Sequence, residues 1–302
     1  MKYNSIAVIG PTAVGKTYLA TKLANKFNGE IISVDSRQVY RGMDIGTGKD
    51  LEDYIVENHH IPYHLIDIIN PDDEFNLFQF MVSFNAAFDI INNKNKNPFI
   101  VGGTGLFLHS LFKGYKLNRA EFNEKKISEL SSLTIEELRK RLINSSGKPL
   151  HNTTDLIEKK RIIKAILISE SSNADIIEPR KIDPLIFCLL PDRKIIHARI
   201  EKRLDERLKN GMIDEVEALI NSGVSTKRLD LFGLEYRYIS LYLTGEINYN
   251  DMKQKLSSAI KRFAKKQITW IRKFEKEGIK MIYFENPDFD RAAEIIEKQF
   301  IN

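Results

Sequence analysis

The chain contains 302 residues, of which 42% are hydrophobic, and it carries a formal net charge of +5. This length allows one large domain or two smaller ones, and the apolar fraction is enough for a substantial core. The single cysteine, Cys188, excludes an internal disulfide and a cysteine-cluster metal site. No apolar run approaches the roughly 20 residues of a membrane helix, and the first residues lead directly into a strand, without a signal peptide. We therefore expect a cytoplasmic protein that does not bind membranes. We also expect it to be a monomer.

The first predicted element is a short buried strand, residues 5–9, which leads into a phosphate-binding motif. The motif matches G-x-x-x-x-G-K-[ST] in full and reads Gly10-Pro11-Thr12-Ala13-Val14-Gly15-Lys16-Thr17. A helix-favouring stretch, residues 17–27, comes next. In a strand–loop–helix unit of this kind, backbone N–H groups and the helix N-terminus cradle two linked phosphates. Lys16 adds a full positive charge to such a site, and Thr17 offers a hydroxyl to Mg²⁺.

Further apolar runs along the chain predict four more strands, at residues 31–34, 98–101, 185–190 and 280–284. Helical segments such as residues 77–93 separate them. Because strands alternate with helices, we predict an α/β fold, with a P-loop NTPase-like parallel sheet flanked by helices. The strand order cannot be deduced from the sequence.

A segment without strand-like runs interrupts this pattern. It is rich in Lys, Glu, Ser and Asn, and it shows helical spacing over residues 130–142 and 156–167. We interpret it as a small helical insertion. The predicted organisation is a first part of the P-loop core, the insertion, and a second part of the core with basic helices, at residues 1–114, 115–181 and 182–302.

Polar or glycine-rich residues follow three of the predicted strands. In parallel sheets ligands bind beyond the carboxyl ends of the strands, so we expect the phosphate loop, Asp35-Ser36-Arg37-Gln38 and Gly102-Gly103-Thr104-Gly105 to meet at one crevice. Asp35 suits a general base or a Mg²⁺ ligand acting through water, and the alternative is a carboxylate that stabilises its loop. Thr104 suits a ligand contact or a helix cap, and the motif alone favours the cap.

Two long basic helical stretches, residues 193–208 and 249–277, follow the fourth strand. Arg199 and Arg203 lie four residues apart, so they share a helix face and suit a pyrophosphate clamp or an ordinary solvated face. From residue 253 to residue 280 there are ten Lys or Arg and two acidic residues. The second stretch combines an apolar face with a basic one, and the apolar face consists of Leu256, Ile260, Phe263, Trp270 and Phe274. The basic face, with Lys261, Lys265 and Arg272, favours contact with a polyanion such as RNA over a merely solvated surface.

These motifs, together and in order, resemble the tRNA dimethylallyltransferases, which are also called tRNA isopentenyltransferases. Besides the phosphate loop, the resemblance is carried by Asp35-Ser36-Arg37-Gln38-Val39-Tyr40, Asp44-Ile45-Gly46-Thr47-Gly48-Lys49, Val101-Gly102-Gly103-Thr104-Gly105-Leu106-Phe107, Asp192-Arg193 with Arg199 and Arg203, Gly211-Met212 with Glu215-Val216, and Phe263-Ala264-Lys265-Lys266-Gln267-Ile268-Thr269-Trp270. It covers nearly the whole chain. It implies transfer of a dimethylallyl group from dimethylallyl diphosphate to the exocyclic amine of the adenosine just 3′ of the tRNA anticodon.

The resemblance also implies roles for individual residues. The phosphate loop would hold the diphosphate of the prenyl donor together with Mg²⁺, and Asp35 would be the general base. Thr104 would lie beside the reacting groups, and Arg199 or Arg203, with Lys16, would neutralise the departing pyrophosphate. The flipped adenine would be held by Asp35, Ser36, Arg37 and Gln38. Further tRNA contacts are expected from Lys261, Lys265 and Arg272 and, in the insertion, from Lys160, Arg161 and Lys164.

The chain departs from the usual family pattern at several positions, among them Arg37, which replaces a Met, and Gly48, which replaces an Ala.

Two other classes of protein use the same phosphate-loop motif. A small-molecule kinase would have the same loop and sheet but would not need the basic helix. An RNA-binding GTPase needs an Asn-Lys-x-Asp guanine-reading motif, which the sequence lacks. Whether the loop also binds a nucleotide such as ATP stays open.

Overall fold

The structure is a computed structural model that describes residues 3–118, 124–146, 158–170 and 176–301. The chain forms two compact units. The larger unit consists of residues 1–114 and 180–302, and the smaller one of residues 115–179. The smaller unit therefore begins where the sequence-based division places the insertion, and it ends two residues earlier.

The larger unit contains most of the strands and helices. Up to residue 114 its elements are β1 (Ser5–Ile9), α1 (Lys16–Lys26), β2 (Gly29–Val34), a 3-10 turn (Leu51–Tyr54), β3 (Ile55–Val56), β4 (His59–His60), β5 (Tyr63–His64), α2 (Leu77–Asn93), β6 (Asn97–Gly102) and α3 (Gly105–Lys113). The smaller unit contributes β7 (Leu117–Asn118), α4 (Glu124–Ser132), α5 (Ile135–Ser146), α6 (Lys159–Glu170) and β8 (Ile176–Ile177). The rest of the larger unit comprises β9 (Pro184–Leu189), α7 (Arg193–Lys209), α8 (Met212–Asn221), α9 (Thr226–Phe232), α10 (Leu234–Leu243), α11 (Tyr249–Lys276), β10 (Ile282–Phe284) and α12 (Phe289–Ile296), which a π-helical turn (Glu297–Ile301) follows.

A six-stranded sheet with the strand order β10-β9-β1-β6-β2-β5 forms the centre of the larger unit. All neighbouring strands are parallel; for example, Val8 of β1 pairs with Val101 of β6 on one side and with Phe187 of β9 on the other. All five residues of β1 are buried, as expected for a central strand covered by helices on both faces. The predicted α/β fold with a parallel sheet flanked by helices is confirmed. The order also places the carboxyl ends of β1, β6 and β2 side by side.

The smaller unit differs in detail from the sequence-based expectation. Residues 130–142, which show helical spacing, are divided between two helices, because α4 ends at Ser132 and α5 begins at Ile135. Thr134 starts α5 with a capping box: its hydroxyl accepts from the backbone N–H of Glu137 at 3.3 Å, and the Glu137 carboxylate accepts from the Thr134 N–H at 2.7 Å. These two reciprocal hydrogen bonds stabilise the start of a new helix at this point, so α4 and α5 do not form one continuous helix.

The remaining predictions for this segment are partly corrected. The second predicted helix, at residues 156–167, corresponds to α6, and its first two positions lie outside the described residues. The expectation that the segment contains no strand is wrong, since β7 and β8 form a short antiparallel pair. The unit has an apolar core of its own, formed by Leu130, Leu138, Leu142, Ile162, Ile163, Ile166 and Leu167.

Among the described residues of the whole chain, no helix is both long enough and apolar enough to cross a bilayer.

Candidate active site

A cavity of about 1030 Å³ opens at the carboxyl ends of the central strands. Its wall contains the phosphate loop after β1, the Asp35 segment after β2 and the Thr104 segment after β6. The expectation that these three segments meet at one crevice is confirmed. Further parts of the wall come from the loop of residues 44–54 and from side chains of α7, α10 and α11.

The phosphate loop has the backbone conformation that its glycines predict. Gly15 precedes α1 with a φ of 84°, and Gly10 has a φ of 155°. A side chain at Gly10 would overlap the carbonyl oxygen of Leu189 in β9, so only glycine fits there. No side chain caps the first turn of α1, which leaves its N–H groups directed at the loop.

Lys16 is held over the loop and is unusually easy to deprotonate. Its Nζ donates a hydrogen bond to the carbonyl oxygen of Pro11 at 2.7 Å. Burial, followed by the nearby Arg203 guanidinium, lowers the pKa of Lys16 to about 8, although the Asp35 carboxylate acts in the opposite direction. Thr17, the next residue, also lines the cavity. Lys16 thus brings a positive charge to a loop whose backbone N–H groups suit an anionic ligand.

Thr104 does not act as the helix cap that its motif favours. It occupies the N-cap position of α3 without a side-chain capping bond. Instead its Oγ1 accepts a hydrogen bond from the backbone N–H of Ser36 at 3.2 Å, which joins the segments after β6 and β2. The carboxylate of Asp35 accepts from the N–H of Arg37 at 2.9 Å, so one of its oxygens stabilises the turn while the residue lines the cavity. Both readings of Asp35, loop stabiliser and reactive carboxylate, are therefore compatible with its position.

Gln38 is fixed at both ends of its side-chain amide. Its Oε1 accepts from the hydroxyl of Ser33 at 2.8 Å, and its Nε2 donates to the carbonyl oxygen of Gly48 at 2.9 Å. The second bond ties Gln38 to the loop of residues 44–54 on the cavity wall. The neighbouring Arg37 extends to Gly233, where its guanidinium occupies the space that a side chain would need.

Arg199 and Arg203 both line the cavity, as predicted, but they have different partners. Arg199 Nη2 donates to Asn286 Oδ1 at 2.8 Å. Arg203 forms an ion pair with Asp50, and its Nη1 lies 3.4 Å from Thr12 Oγ1 in the phosphate loop. Burial and a neighbouring arginine lower the pKa of Arg203. Of the two predicted arginines, Arg203 is therefore the one hydrogen-bonded to the phosphate loop.

The neighbouring arginine is Arg207, one helical turn further along α7, which the sequence analysis missed. Its Nη2 lies 3.1 Å from Asp50 Oδ1, so one carboxylate bridges Arg203 and Arg207. Burial opposes ionisation of Asp50, but the two guanidinium groups outweigh it and lower its pKa. The spacing of 199, 203 and 207 on one helix face was the available signal for Arg207.

The structure gives a physical reason for glycine at position 48. Gly48 has a φ of +67°, and a side chain built on it would overlap the guanidinium of Arg207 and lie 2.5 Å from Arg203 Nη2. Alanine at this position would displace the arginines that Asp50 holds. The departure from the usual family residue is thus matched by the arginine that packs against it.

Helix α11 forms another part of the cavity wall through Ile260, Phe263, Lys266, Gln267 and Trp270. The predicted apolar face is therefore partly wrong. Phe263 is 39% exposed and lies on the cavity side, whereas Leu256 and Phe274 are fully buried. The ring of Trp270 covers Gly105, where a Cβ would overlap the indole. One face of α11 thus packs into the core at Leu256 and Phe274 and lines the cavity at Phe263, and the spacing of its apolar residues does not separate these two environments.

The predicted basic face of α11 is uneven in charge. Lys265 and Arg272 are exposed, whereas Lys261 forms an ion pair with Glu201 of α7. The charge of Lys261 is thus already compensated within the protein.

In the smaller unit, Lys160, Arg161 and Lys164 lie on exposed positions of α6, and Arg161 Nε is 3.1 Å from Glu158 Oε2.

The parallel sheet flanked by helices has the α/β fold of P-loop NTPase-like proteins, and the phosphate-loop motif, a carboxylate and a hydroxyl lie together on its cavity wall. A family model described as IPP transferase matches residues 38–274, and one described as isopentenyl transferase matches residues 3–63. The chain belongs to the tRNA dimethylallyltransferase family, whose members are prenyltransferases.

Individual relatives support this membership over almost the full length. tRNA dimethylallyltransferase 1 of Syntrophus aciditrophicus is 43% identical over 298 residues, which are 97% of each chain. tRNA dimethylallyltransferase 1 of Geotalea uraniireducens is 46% identical over 300 residues, which are 98% of this chain and 97% of the relative.

Solved structures show the same fold. The tRNA isopentenylpyrophosphate transferase of Bacillus halodurans has a TM-score of 0.69 at 29% identity, covering 98% of this chain and 95% of its own. A eukaryotic dimethylallyltransferase, solved while acting on tRNA, has a TM-score of 0.80 at 22% identity, covering 98% of this chain and 79% of its own.

Proposed function

We propose that this chain transfers the dimethylallyl group of dimethylallyl diphosphate to the exocyclic amine of the adenosine 3′ of the tRNA anticodon. The observation that carries the proposal is the convergence of a half-buried, lysine-bearing phosphate loop, Asp35 and Thr104 on one cavity, in a chain that belongs to the tRNA dimethylallyltransferase family. A diphosphate needs the loop, and a weakly nucleophilic amine needs a positioned base.

The reaction requires one bond to form and one to break. The nitrogen of the adenine amine bonds to the first carbon of the dimethylallyl group, while the bond from that carbon to the diphosphate oxygen breaks. The proton leaves the amine for the carboxylate of Asp35, and inorganic pyrophosphate departs with the electron pair of the broken bond. Lys16 and Arg203, which lie at the phosphate loop, compensate the charge that develops on the pyrophosphate.

Thr17 is the residue that would hold Mg²⁺. Within the described residues, no group of three or more His, Cys, Asp or Glu side chains is arranged to hold a metal ion. A hydroxyl next to a phosphate cradle nevertheless suits Mg²⁺, because this ion is commonly bound by few protein ligands together with waters and substrate phosphates. The ion supplies further charge neutralisation for the diphosphate when it is bound.

The adenine would enter the cavity from the side of residues 35–38, and α11 would contact the tRNA backbone. Thr104 positions the Ser36 N–H, and therefore the turn that carries Asp35. The exposed Lys265 and Arg272 are the members of the predicted basic face best suited to phosphate contacts. We further propose that the protein acts as a cytoplasmic monomer.

The proposal can be tested by mass spectrometry of tRNA nucleosides. The protein is first incubated with unmodified tRNA, dimethylallyl diphosphate and Mg²⁺. We expect one adenosine per susceptible tRNA to gain a dimethylallyl group and one pyrophosphate to be released. We also expect ATP to compete weakly at best for the donor site. Hydrolysis of ATP at a useful rate, without donor binding or modified nucleoside, would instead support the kinase class.

A further inference from the structure

Glu215, in the first turn of α8, binds a row of backbone N–H groups on the cavity wall. Its Oε2 accepts from Asp44 N at 2.8 Å and from Ile45 N at 2.7 Å, and its Oε1 accepts from Gly46 N at 3.0 Å. Successive N–H groups that converge on one carboxylate form an anion-binding nest, and bonds to an ionised acceptor are stronger than neutral ones. One side chain thus fixes the start of the loop of residues 44–54.

A second residue completes the carboxylate's hydrogen bonds. The hydroxyl of Tyr236 donates to Glu215 Oε1 at 2.7 Å. Burial and then Glu215 raise the pKa of Tyr236, so the hydroxyl keeps its proton and remains a donor. The same ring packs on Gly46, where a Cβ would lie 2.6 Å from Tyr236 Cζ. The N–H row is therefore held by hydrogen bonds and by close packing of the ring.

The other end of the segment of residues 44–48 lies at the proposed adenine side of the cavity, where Gly48 contacts Gln38. Its carbonyl oxygen accepts from Gln38 Nε2 at 2.9 Å, while Ser33 donates to Gln38 Oε1 at 2.8 Å. Because an amide has two N–H donors and two oxygen lone pairs, one donor and one lone pair remain for a ligand. A fixed donor–acceptor pair of this kind is what a glutamine uses to recognise the edge of adenine.

We infer that Glu215 is a positioning residue for base selection, which acts through the loop of residues 44–48 on the orientation of Gln38. This inference rests on the proposed function, because it takes the base bound near Gln38 to be the acceptor adenine. If the loop shifts, the amide of Gln38 is free to rotate, and a base with the opposite pattern of donors and acceptors then fits as well.

The test compares binding of two tRNAs that differ only in having adenosine or guanosine at the acceptor position. The variants are Glu215→Gln, Gln38→Ala and the double variant, with Glu217→Gln as the control on an exposed position of the same helix. We expect Glu215→Gln to reduce the preference for adenosine about tenfold and to raise the Kd of dimethylallyl diphosphate by a smaller factor, because Gly48 of the same loop also packs against Arg203 and Arg207. We expect the double variant to be no less selective than Gln38→Ala, and Glu217→Gln to match the wild type.

Independent losses of selectivity that multiply in the double variant would overturn the inference, and so would an unchanged preference in a folded Glu215→Gln protein. If Glu215→Gln does not fold, Tyr236→Phe removes one bond and keeps the ring; a smaller loss of selectivity in the same direction supports the inference, and none contradicts it. Failure of the proposed function is distinguishable, because then the wild type itself would neither modify tRNA nor prefer adenosine.

Discussion

The side chain of Gln267 in α11 is hydrogen-bonded to the phosphate loop at Thr12. Its Oε1 accepts from the Thr12 N–H at 2.8 Å, and its Nε2 donates to the carbonyl oxygen of Gly103 at 3.0 Å. One buried amide therefore joins the loops after β1 and β6 to the helix proposed to contact tRNA. Both loops line the same cavity, so their relative position depends on this residue.

Replacing Gln267 should weaken donor binding as well as destabilise the fold. Gln267→Ala leaves buried partners unsatisfied, which costs about 1–3 kcal/mol, and we expect the Kd of dimethylallyl diphosphate to rise roughly tenfold. Calorimetric titration with the donor measures this, with Thr269→Ala on an exposed position as the control. Donor affinity equal to that of the wild type in Gln267→Ala would contradict the assignment.

Donor binding should weaken at alkaline pH because Lys16 loses its proton. The pKa of Lys16 in the folded protein is about 8, below the ordinary lysine value of 10.5, mainly because of burial. The charged form is thus disfavoured in the folded state, and the contribution of this group to the free energy of unfolding rises as the pH increases above about 8. Donor affinity should fall over the same range, by at most about tenfold per pH unit. Lys16→Arg keeps its charge, so the affinity of that variant should vary less with pH; an equally steep profile would assign the titration to another group.

The close packing of Gly48 against Arg207 predicts that a second substitution, at Arg207, will partly restore the activity lost when Gly48 is replaced. Gly48→Ala places a Cβ against the arginines and puts alanine at a φ of +67°, a conformation that costs a non-glycine residue roughly 1–2 kcal/mol. We expect the kcat/KM for the donor to fall about tenfold or more. Adding Arg207→Ala removes the closest of these contacts and leaves only the one with Arg203, so it should restore part of that loss. If the double variant shows the two single losses simply multiplied, the steric explanation is wrong.

The basic face of α11 should contribute to tRNA affinity through Lys265 and Arg272 more than through Lys261. Each phosphate contact that is lost lowers the slope of log affinity against log salt concentration by roughly 0.7–0.9. Lys265→Ala with Arg272→Ala should therefore flatten the slope, whereas Lys261→Ala should change it little because Lys261 is paired with Glu201. Filter binding across a salt series measures this. An unchanged slope in the double variant would indicate that this face is only solvated and that tRNA is bound elsewhere, for example by the smaller unit.

The sequence predicts the sheet and the crevice well because their signals are local. The motif at residues 10–17 fixes a strand, a turn and a helix within one stretch of chain, and Asp35 and Thr104 follow strands whose parallel packing brings their ends together. The partners of these residues could not be predicted in the same way. Glu215 and Gln267 reach loops that lie more than 150 positions away in the chain, and no local pattern encodes such a contact.

Local sequence patterns also gave wrong predictions where residues with the same spacing lie in different surroundings. Phe263 and Phe274 both fit the apolar period of α11, yet one lines the cavity and the other lies in the core. Thr104 precedes a helix, but its hydroxyl binds the neighbouring segment instead of the helix end. In both cases the tertiary partner, which the sequence does not show, decides the role.

Single-turnover transfer by Asp35→Asn tests the central claim most directly. The substitution keeps an oxygen that can accept from the Arg37 N–H, so the turn is preserved while the proton acceptor is lost. We predict a rate loss of about 10²–10⁴-fold, with the Kd values of tRNA and dimethylallyl diphosphate within about twofold of the wild type. Asp72→Asn, on an exposed loop outside the cavity, should match the wild type. A near-normal rate in Asp35→Asn would contradict the account, because it would remove Asp35 from the chemistry of transfer.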